Sequence, residues 1–193
     1  MGCLCFWSCF FIYASVCLLF FVTGTYSVPG NETDKQALLE FKAGIAADPF
    51  AVMTSWNGTI HFCQWYGVTC VQNKSLKTLS KMPLARKVPV ELGYLSKLQY
   101  LVIDKNNLTG TIPHFLGNLS SFTALSLAFN NIVGNIPDAL GQLKNFQYLE
   151  VFDNKLSGII PPSIFNLSSI TFLDIAFNHF EGFLPADLFT DRC

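Results

Sequence analysis

The sequence predicts an α/β solenoid: a right-handed superhelix with a parallel β-sheet on its concave face and a helical cap at its N-terminal end. From Leu95 onward, one apolar pattern returns every 24 residues in four copies without an insertion or deletion. Asparagine, glycine and proline recur at fixed places within each copy. An amphipathic segment and a loop bounded by two cysteines precede the copies. A fixed period of this length indicates stacked coils that share one core.

The first segment, residues 1–25, is predicted to be a secretory signal peptide. A nearly unbroken apolar run extends from Cys5 to Val22 and ends in small polar residues. This order is typical of a signal peptide, although no basic residue precedes the run. Cleavage is expected after Thr25 or Ser27. The alternative is an uncleaved membrane anchor, because about 18 apolar residues can just span a bilayer.

Sequons and cysteines agree with passage through the secretory pathway. Beyond the leader, Cys63 and Cys70 form a close pair and Cys193 is left over. In an oxidising compartment the pair is interpreted as a disulfide, since a zinc site would need more ligands than this pair and His61 supply. No metal or cofactor is therefore expected. The candidate glycosylation sites are the Asn-x-Ser/Thr sequons at Asn31, Asn57, Asn73, Asn107, Asn118 and Asn166.

Residues 30–71 are predicted to form the N-terminal cap. A helical pattern runs from Thr33 to Ala47 with one apolar face, and residues 33–36 fit a capping box in which Thr33 is the N-cap. The aromatic segment from Trp56 to Cys70 follows. A solenoid needs such a lid because an open first coil would expose core residues.

Residues 95–193 are predicted to form four 24-residue repeats without a C-terminal cap. In the first copy, Leu101 and Ile103 alternate with Val102, which places both on the inner face of a short strand. One asparagine in each copy lies where the chain must turn, and its amide can satisfy buried backbone groups. These asparagines are Asn106, Asn130, Asn154 and Asn178.

Residues 72–94 are predicted to be a degenerate first repeat. A constant 24-residue register aligns Lys77 with the strand leucine, Met82 with the turn asparagine and Arg86 with the turn glycine. None of these substitutions suits its position, so the packing of this coil against the cap is in doubt.

Three motifs carry a resemblance to a known family. They are Asp34-x-x-Ala37-Leu38-Leu39-x-Phe41-Lys42, Ser55-Trp56-Asn57 and Cys63-x-Trp65-x-Gly67-Val68-x-Cys70. This combination resembles the N-terminal cap of plant leucine-rich repeat receptor kinases, and the Leu-x-Gly-x-Ile-Pro repeats are similar to the plant-specific class. Asn118-Leu119-Ser120-Ser121 and Phe165-Asn166-Leu167-Ser168-Ser169 resemble the pathogen-sensing branch.

The resemblance implies an ectodomain that binds a peptide or protein ligand at the cell surface, in immunity or development, with a co-receptor kinase ectodomain as a further partner. Full receptors of this family continue into a C-terminal cap, a membrane span and a kinase, none of which follows Leu188 in this sequence. We therefore expect a fragment, a truncated gene product or a secreted short form. Membrane association is expected only through a longer form or an uncleaved leader, and the expected location is the secretory pathway, the apoplast or the outer face of the plasma membrane.

Composition and motifs favour a binding protein over an enzyme. None of His61, His114 and His179 is placed by the repeat beside a nucleophile or a carboxylate pair. A net charge of −1 predicts no nucleic-acid interface. Alternation along the strands assigns the hypothetical ligand-binding surface to the outward residues Tyr100, Val102, Asp104, Lys105, Ser126, Phe129, Tyr148, Glu150, Phe152, Asp153, Phe172, Asp174 and Phe177.

Two other functions remain open at this stage. The first is a secreted inhibitor of a pathogen wall-degrading enzyme, similar to plant proteins that share this cap and repeat type. The second is a non-functional remnant of a receptor gene. This interpretation would explain the degenerate first repeat and the abrupt end of the sequence.

Overall fold

The computed structural model describes residues 30–43, 45, 48, 51–71, 75–80 and 87–184. These residues form two α-helices, α1 (Gly30–Ala43) and α2 (Pro162–Phe165). They also form short 3-10 helices at Val52–Ser55, Phe62–Gln64, Val90–Tyr94, His114–Asn118 and Asp138–Gln142. The strands are β1 (Val68–Val71), β2 (Ser75–Ser80), β3 (Tyr100–Val102), β4 (Ala124–Ser126), β5 (Val133–Gly134), β6 (Tyr148–Glu150), β7 (Lys155–Ile159), β8 (Phe172–Asp174) and β9 (His179–Glu181).

Several predicted features lie outside the described residues. They are the signal peptide (1–25), Asn73, Met82, Arg86, Leu188 and Cys193, together with the side chain of Asn31.

The chain winds into a solenoid in which each coil contributes one strand to a main sheet. A six-stranded sheet has the order β1-β2-β3-β4-β6-β8, in which only the β1–β2 pair is antiparallel. A second sheet of order β5-β7-β9 forms after the asparagine turns of the coils that carry β4, β6 and β8. This architecture confirms the predicted α/β solenoid with a parallel sheet and an N-terminal helix.

The core is a set of columns in which equivalent residues of successive coils stack. Leu101, Leu125 and Leu149 have no exposed surface, and each pairs in register with the next along the sheet. Phe122 and Phe146 stack in a neighbouring column with ring centroids 5.8 Å apart. Burial of this kind contributes roughly 1.5–3 kcal/mol for each large apolar side chain, so the coils are stabilised mainly by one another.

The turn asparagines Asn130, Asn154 and Asn178 form hydrogen bonds with the coil before their own. Asn130 donates from Nδ2 to the carbonyl oxygen of Ile103 at 2.9 Å and accepts at Oδ1 from the amide of Leu108 at 3.0 Å. Asn154 and Asn178 repeat this pattern one and two coils further on. The predicted role of these asparagines is confirmed, and the structure adds that their bonds join successive coils.

The first coil is two residues shorter than the others, which corrects the alignment of Lys77. Leu79 pairs with Leu101, an offset of 22 residues, whereas Tyr100 pairs with Ala124 at the regular offset of 24. The 3-10 helices at Val90–Tyr94 and His114–Asn118 are again 24 residues apart. The coil is therefore shortened between β2 and the first of these helices. As a result, the fully buried Leu79 occupies the strand-leucine position that the constant register gave to Lys77.

The cap contains its own aromatic cluster and extends the main sheet by one strand. Phe41, Trp56 and Trp65 stack in sequence, with centroid distances of 5.8 and 5.1 Å. The Cys63–Cys70 disulfide is present, as predicted, and β1, which contains Cys70, continues the main sheet.

The predicted capping box is wrong, because α1 begins at Gly30 and Thr33 therefore lies within its first turn. Asp34 instead points into the protein, where it is 4% exposed and accepts a 2.7 Å hydrogen bond from the amide of Leu76 in β2. This contact joins the cap helix to the sheet.

We expect Gly117→Ala to lower the free energy of unfolding by roughly 1–3 kcal/mol, because overpacking between closely spaced segments forces a backbone shift. A Cβ at Gly117 would lie 2.7 Å from the backbone carbon and oxygen of Ala139 in the next coil. Gly58→Ala is the matched control, since a Cβ there meets nothing within 4 Å. Urea unfolding followed by circular dichroism measures both. Equal midpoints would show that the coils can separate at no cost.

We expect Asp34→Asn to make the free energy of unfolding depend less on pH in the acidic range. Burial raises the pKa of Asp34 above its ordinary value of 3.8, against the opposing effect of the Leu76 hydrogen bond. The folded chain thus binds this proton more tightly than the unfolded chain, so stability falls as pH rises from about 3.8 through the raised pKa.

Asparagine keeps an acceptor for the Leu76 amide and carries no charge, so the variant should lose this fall and be more stable than the wild type at neutral pH. Thermal melts from pH 3 to 7 test this, with Glu40→Gln on the exposed side of the same helix as the control. An unchanged pH profile in Asp34→Asn would contradict the assignment.

Candidate functional site

The outward side chains of the main sheet form aligned rows, because the strands pair in register at the repeat spacing. Residues that precede the central leucine form one row, and residues that follow it form a second. Two further rows follow where each strand passes into its turn. The four rows, in order, are Tyr100, Ala124, Tyr148 and Phe172; Val102, Ser126, Glu150 and Asp174; Asp104, Ala128, Phe152 and Ala176; and Lys105, Phe129, Asp153 and Phe177.

The structure brings the predicted surface residues together on this face, with one of them buried. Lys105, Phe129, Asp153, Phe172 and Phe177 are exposed, whereas Tyr100, Val102, Asp104, Tyr148, Glu150, Phe152 and Asp174 are half-buried. Ser126 is 3% exposed. It therefore contributes by holding its neighbours in place more than by offering surface of its own.

Ser126 joins two carboxylates from the coils on either side. Its Oγ lies 2.6 Å from Asp104 Oδ1 and 2.6 Å from Glu150 Oε2. A serine hydroxyl has one proton to donate, so it satisfies only one of these carboxylates at a time. The amide of Ala128 donates to the same oxygen of Asp104 at 3.0 Å, and the phenol of Tyr148 donates to Glu150 Oε2 at 2.9 Å.

Burial raises the pKa values of Asp104 and Tyr148 in this cluster. Burial raises the pKa of Asp104, and the charge of Glu150 adds to the rise, although hydrogen bonds from Ser126 and Ala128 oppose it. Burial also raises the pKa of Tyr148 to about 12, with the hydrogen bond to Glu150 as the next cause. The Tyr148 phenol therefore stays protonated and remains a donor to Glu150 at physiological pH.

Three phenylalanines form a continuous ridge at the turn end of the strands, which we call the aromatic ladder: Phe129, Phe152 and Phe177. Adjacent rings meet edge to face, with centroids 5.1 and 5.0 Å apart. Phe129 is 43% and Phe177 74% exposed. Lys105 extends the ladder at one end, where its Nζ lies 5.5 Å from the centroid of the Phe129 ring.

A second aromatic group lies on the other side of the carboxylates. Tyr148 and Phe172 stack with centroids 4.3 Å apart and nearly parallel planes. Lys77 lies over the ring of Tyr100 at 5.4 Å. The sequence prediction missed Lys77 as a surface residue because the constant register aligned it with an inner strand position. The spacing Leu76-x-x-Leu79, which matches Leu98-x-x-Leu101, was the signal that could have placed it correctly.

Other parts of the described chain offer weaker candidates. A cavity of about 500 Å³ opens at the last coil, where Phe165, Ile175 and Phe180 are among its lining residues. Over the described ranges, no three histidine, cysteine, aspartate or glutamate side chains cluster to hold a metal ion. None of the helices in these ranges is long and apolar enough to span a bilayer.

Family models match both the cap and the repeats. The model described as "Leucine rich repeat N-terminal domain" covers residues 31–71, and the model described as "Leucine rich repeat" covers residues 96–156. Protein MALE DISCOVERER 1 of Arabidopsis thaliana is 40% identical over 82 residues, which is 41% of this chain and 12% of that protein. The chain thus spans only a small part of the curated relatives that it matches.

Solved structures extend the similarity over most of the chain. The BIR3–SERK2 complex from Arabidopsis thaliana matches with 30% identity and a TM-score of 0.72, over 79% of this chain and 85% of the matched one. The ectodomain of the Arabidopsis receptor kinase HAESA, solved in complex with an IDA peptide hormone ligand, matches with 27% identity and a TM-score of 0.59, over 79% of this chain and 30% of that one. Given its cap, its repeats and this coverage, the chain belongs to the family of plant leucine-rich repeat receptor ectodomains.

Proposed function

We propose that the chain is an extracellular recognition module of receptor-like kinase type, which binds a peptide or protein ligand on the outward face of its main sheet, in plant defence or signalling. The observation that carries this proposal is the exposure of aromatic side chains beside carboxylates in aligned rows. Exposed apolar patches of this kind mark interaction sites, and solenoids use extended surfaces of this kind for binding. The function requires no cofactor and no catalytic step.

The positions of the sequons support this use of the sheet face. Asn57, Asn107, Asn118 and Asn166 are exposed, and none of them lies in the four outward rows. Asn118 ends the 3-10 helix at His114–Asn118, and Asn166 is the C-cap of α2. Glycans at these asparagines would cover other surfaces and leave the rows free.

The solved relatives favour a receptor over the inhibitor alternative. HAESA was solved with a peptide hormone, and BIR3 was solved in complex with SERK2. By analogy we propose a peptide or protein ligand and a co-receptor kinase ectodomain as partners of this chain. We also propose secretion through the leader, with membrane attachment only through a longer form or an uncleaved leader.

The decisive experiment places a glycan on the sheet face. Ligands are selected on the full chain, expressed in plant cells, from a displayed library of random linear peptides. The double variant Asp174→Asn with Ala176→Thr creates a sequon in the rows, and the bulk of its glycan should weaken the selected peptides by at least about tenfold in Kd. Binding is measured by biolayer interferometry.

Tyr94→Asn is the matched control, because it completes an Asn-Leu-Ser sequon on a 3-10 helix away from the rows, where Tyr94 is 64% exposed. Glycosylation there should leave binding unchanged. Failure to select any peptide would refute a peptide ligand, and binding that survives the sheet-face glycan would refute the sheet face as the recognition surface.

The sequons themselves give a separate prediction. Asn118 and Asn166 occupy equivalent places two coils apart and are both exposed, so both should be glycosylated in the secreted chain. Asn118→Gln and Asn166→Gln should each remove one glycan, seen as a mobility shift that disappears after treatment with a glycosidase active on plant N-glycans. A variant that migrates as the wild type before this treatment would show that its sequon is unused.

A further inference from the structure

The aromatic ladder is an apolar surface that core packing does not explain. Phe177 is 74% exposed and Phe129 43% exposed, although both are large apolar side chains. The rings follow one another at 5.1 and 5.0 Å across three coils. A ridge of this length corresponds to about three residues of extended peptide, which rises roughly 3.3 Å per residue. The shape therefore suits a peptide segment that runs across the coils.

The charges beside the ladder are unbalanced. In the coils that carry β4, β6 and β8, the outward rows contain Glu150, Asp153 and Asp174 but no lysine or arginine. The two lysines of the face, Lys77 and Lys105, lie in the coils before these, each over an aromatic ring. The part of the face that holds most of the ladder therefore carries net negative charge.

The local hydrogen bonds leave this charge in place. Glu150 shares the single proton of Ser126 with Asp104 and receives its other bond from Tyr148, a neutral donor. Asp174 accepts from the amide of Ala176 at 3.1 Å, which is also a neutral donor. A partner that brings a cation to this place gains a favourable electrostatic interaction, whereas an anionic partner is repelled.

We propose that the ligand class of this face is an extended peptide that carries an arginine or lysine close to an apolar or aromatic residue. The apolar side chain packs on the ladder, and the cationic group lies between the ladder and the Tyr148–Phe172 stack, near Glu150 and Asp174. Guanidinium and ammonium groups bind carboxylates and are attracted to aromatic faces. The carboxylates and the aromatic rings of this place therefore both favour a cation. This inference rests on the proposed function and adds the chemistry of the ligand to it.

The test uses the peptides selected from the displayed random library on the full wild-type chain. Arginine or lysine next to an apolar residue should be enriched among them over the unselected library. For a synthetic peptide from this pool, Asp174→Asn and Phe177→Ala should each raise Kd by at least about tenfold. Asparagine retains an acceptor for the Ala176 amide, and Phe177 is largely exposed, so both variants should fold, as circular dichroism would verify.

Glu91→Gln and Tyr94→Ala are the matched controls, because both residues lie in the 3-10 helix at Val90–Tyr94, outside the outward rows. These variants should bind the peptide as the wild type does. Kd for the wild type should also rise with salt, and this dependence should weaken in Asp174→Asn, since screening acts on the charge that the variant lacks.

The outcomes separate this inference from the proposed function. Selected peptides that are acidic or uncharged, yet are displaced by the sheet-face glycan, would overturn the inference and leave the recognition function standing. Basic peptides that are insensitive to both Asp174→Asn and Phe177→Ala would also overturn it. Peptides that the sheet-face glycan does not displace would refute both proposals together.

Discussion

The asparagine amide that joins one coil to the coil before it is the interaction on which the solenoid depends. In Asn154, one side chain donates to the carbonyl oxygen of Leu127 and accepts from the amide of Ile132, both in the preceding coil. It also donates within its own turn to Val151. An unpaired backbone group in such a place costs about 1–3 kcal/mol. Each turn is thus satisfied only when its neighbour is present and in register, which makes adjacent coils one cooperative unit.

The same contact between coils determines the geometry of the surface. Because the asparagines fix the register, and Gly117 and Gly141 allow close approach at the opposite side of the coil, equivalent residues stack at the spacing of adjacent β-strands. Adjacent coils are held at this spacing, so the rings of the aromatic ladder, which alternate between the fourth row and the third, lie about 5 Å apart. The core therefore builds the ladder, and a recognition surface formed in this way needs no loop of its own.

The constant period gave most of the fold and part of the surface, and its failures have identifiable physical causes. Alternation accounts for the first three outward rows, since a strand has a side-chain period of two, and the fourth row lies one residue further on, where the turn takes a left-handed conformation. Alternation did not predict the burial of Ser126, because this burial results from the longer side chains of Asp104 and Glu150, which reach Ser126 from the adjacent coils. Lys77 was misplaced because a shortened coil breaks the period while keeping the leucine spacing within the strand. Thr33 was misassigned because a local capping pattern carries no information on helical residues that precede it.

The backbone of the fourth row shows what the ladder costs the fold. The turn has a left-handed conformation in each of the four regular coils, where Lys105, Phe129, Asp153 and Phe177 all have φ between 53° and 56°. Aspartate tolerates this region, whereas a bulky residue such as phenylalanine is a genuine outlier there and costs about 1–2 kcal/mol. Phe129 and Phe177 also leave much apolar surface in water. The edge-to-face contacts with Phe152 contribute about 0.5–1.5 kcal/mol each, which only offsets this cost, so stability gives no net preference for phenylalanine at these positions. The proposed recognition of a ligand by the exposed rings would account for both positions with a single cause.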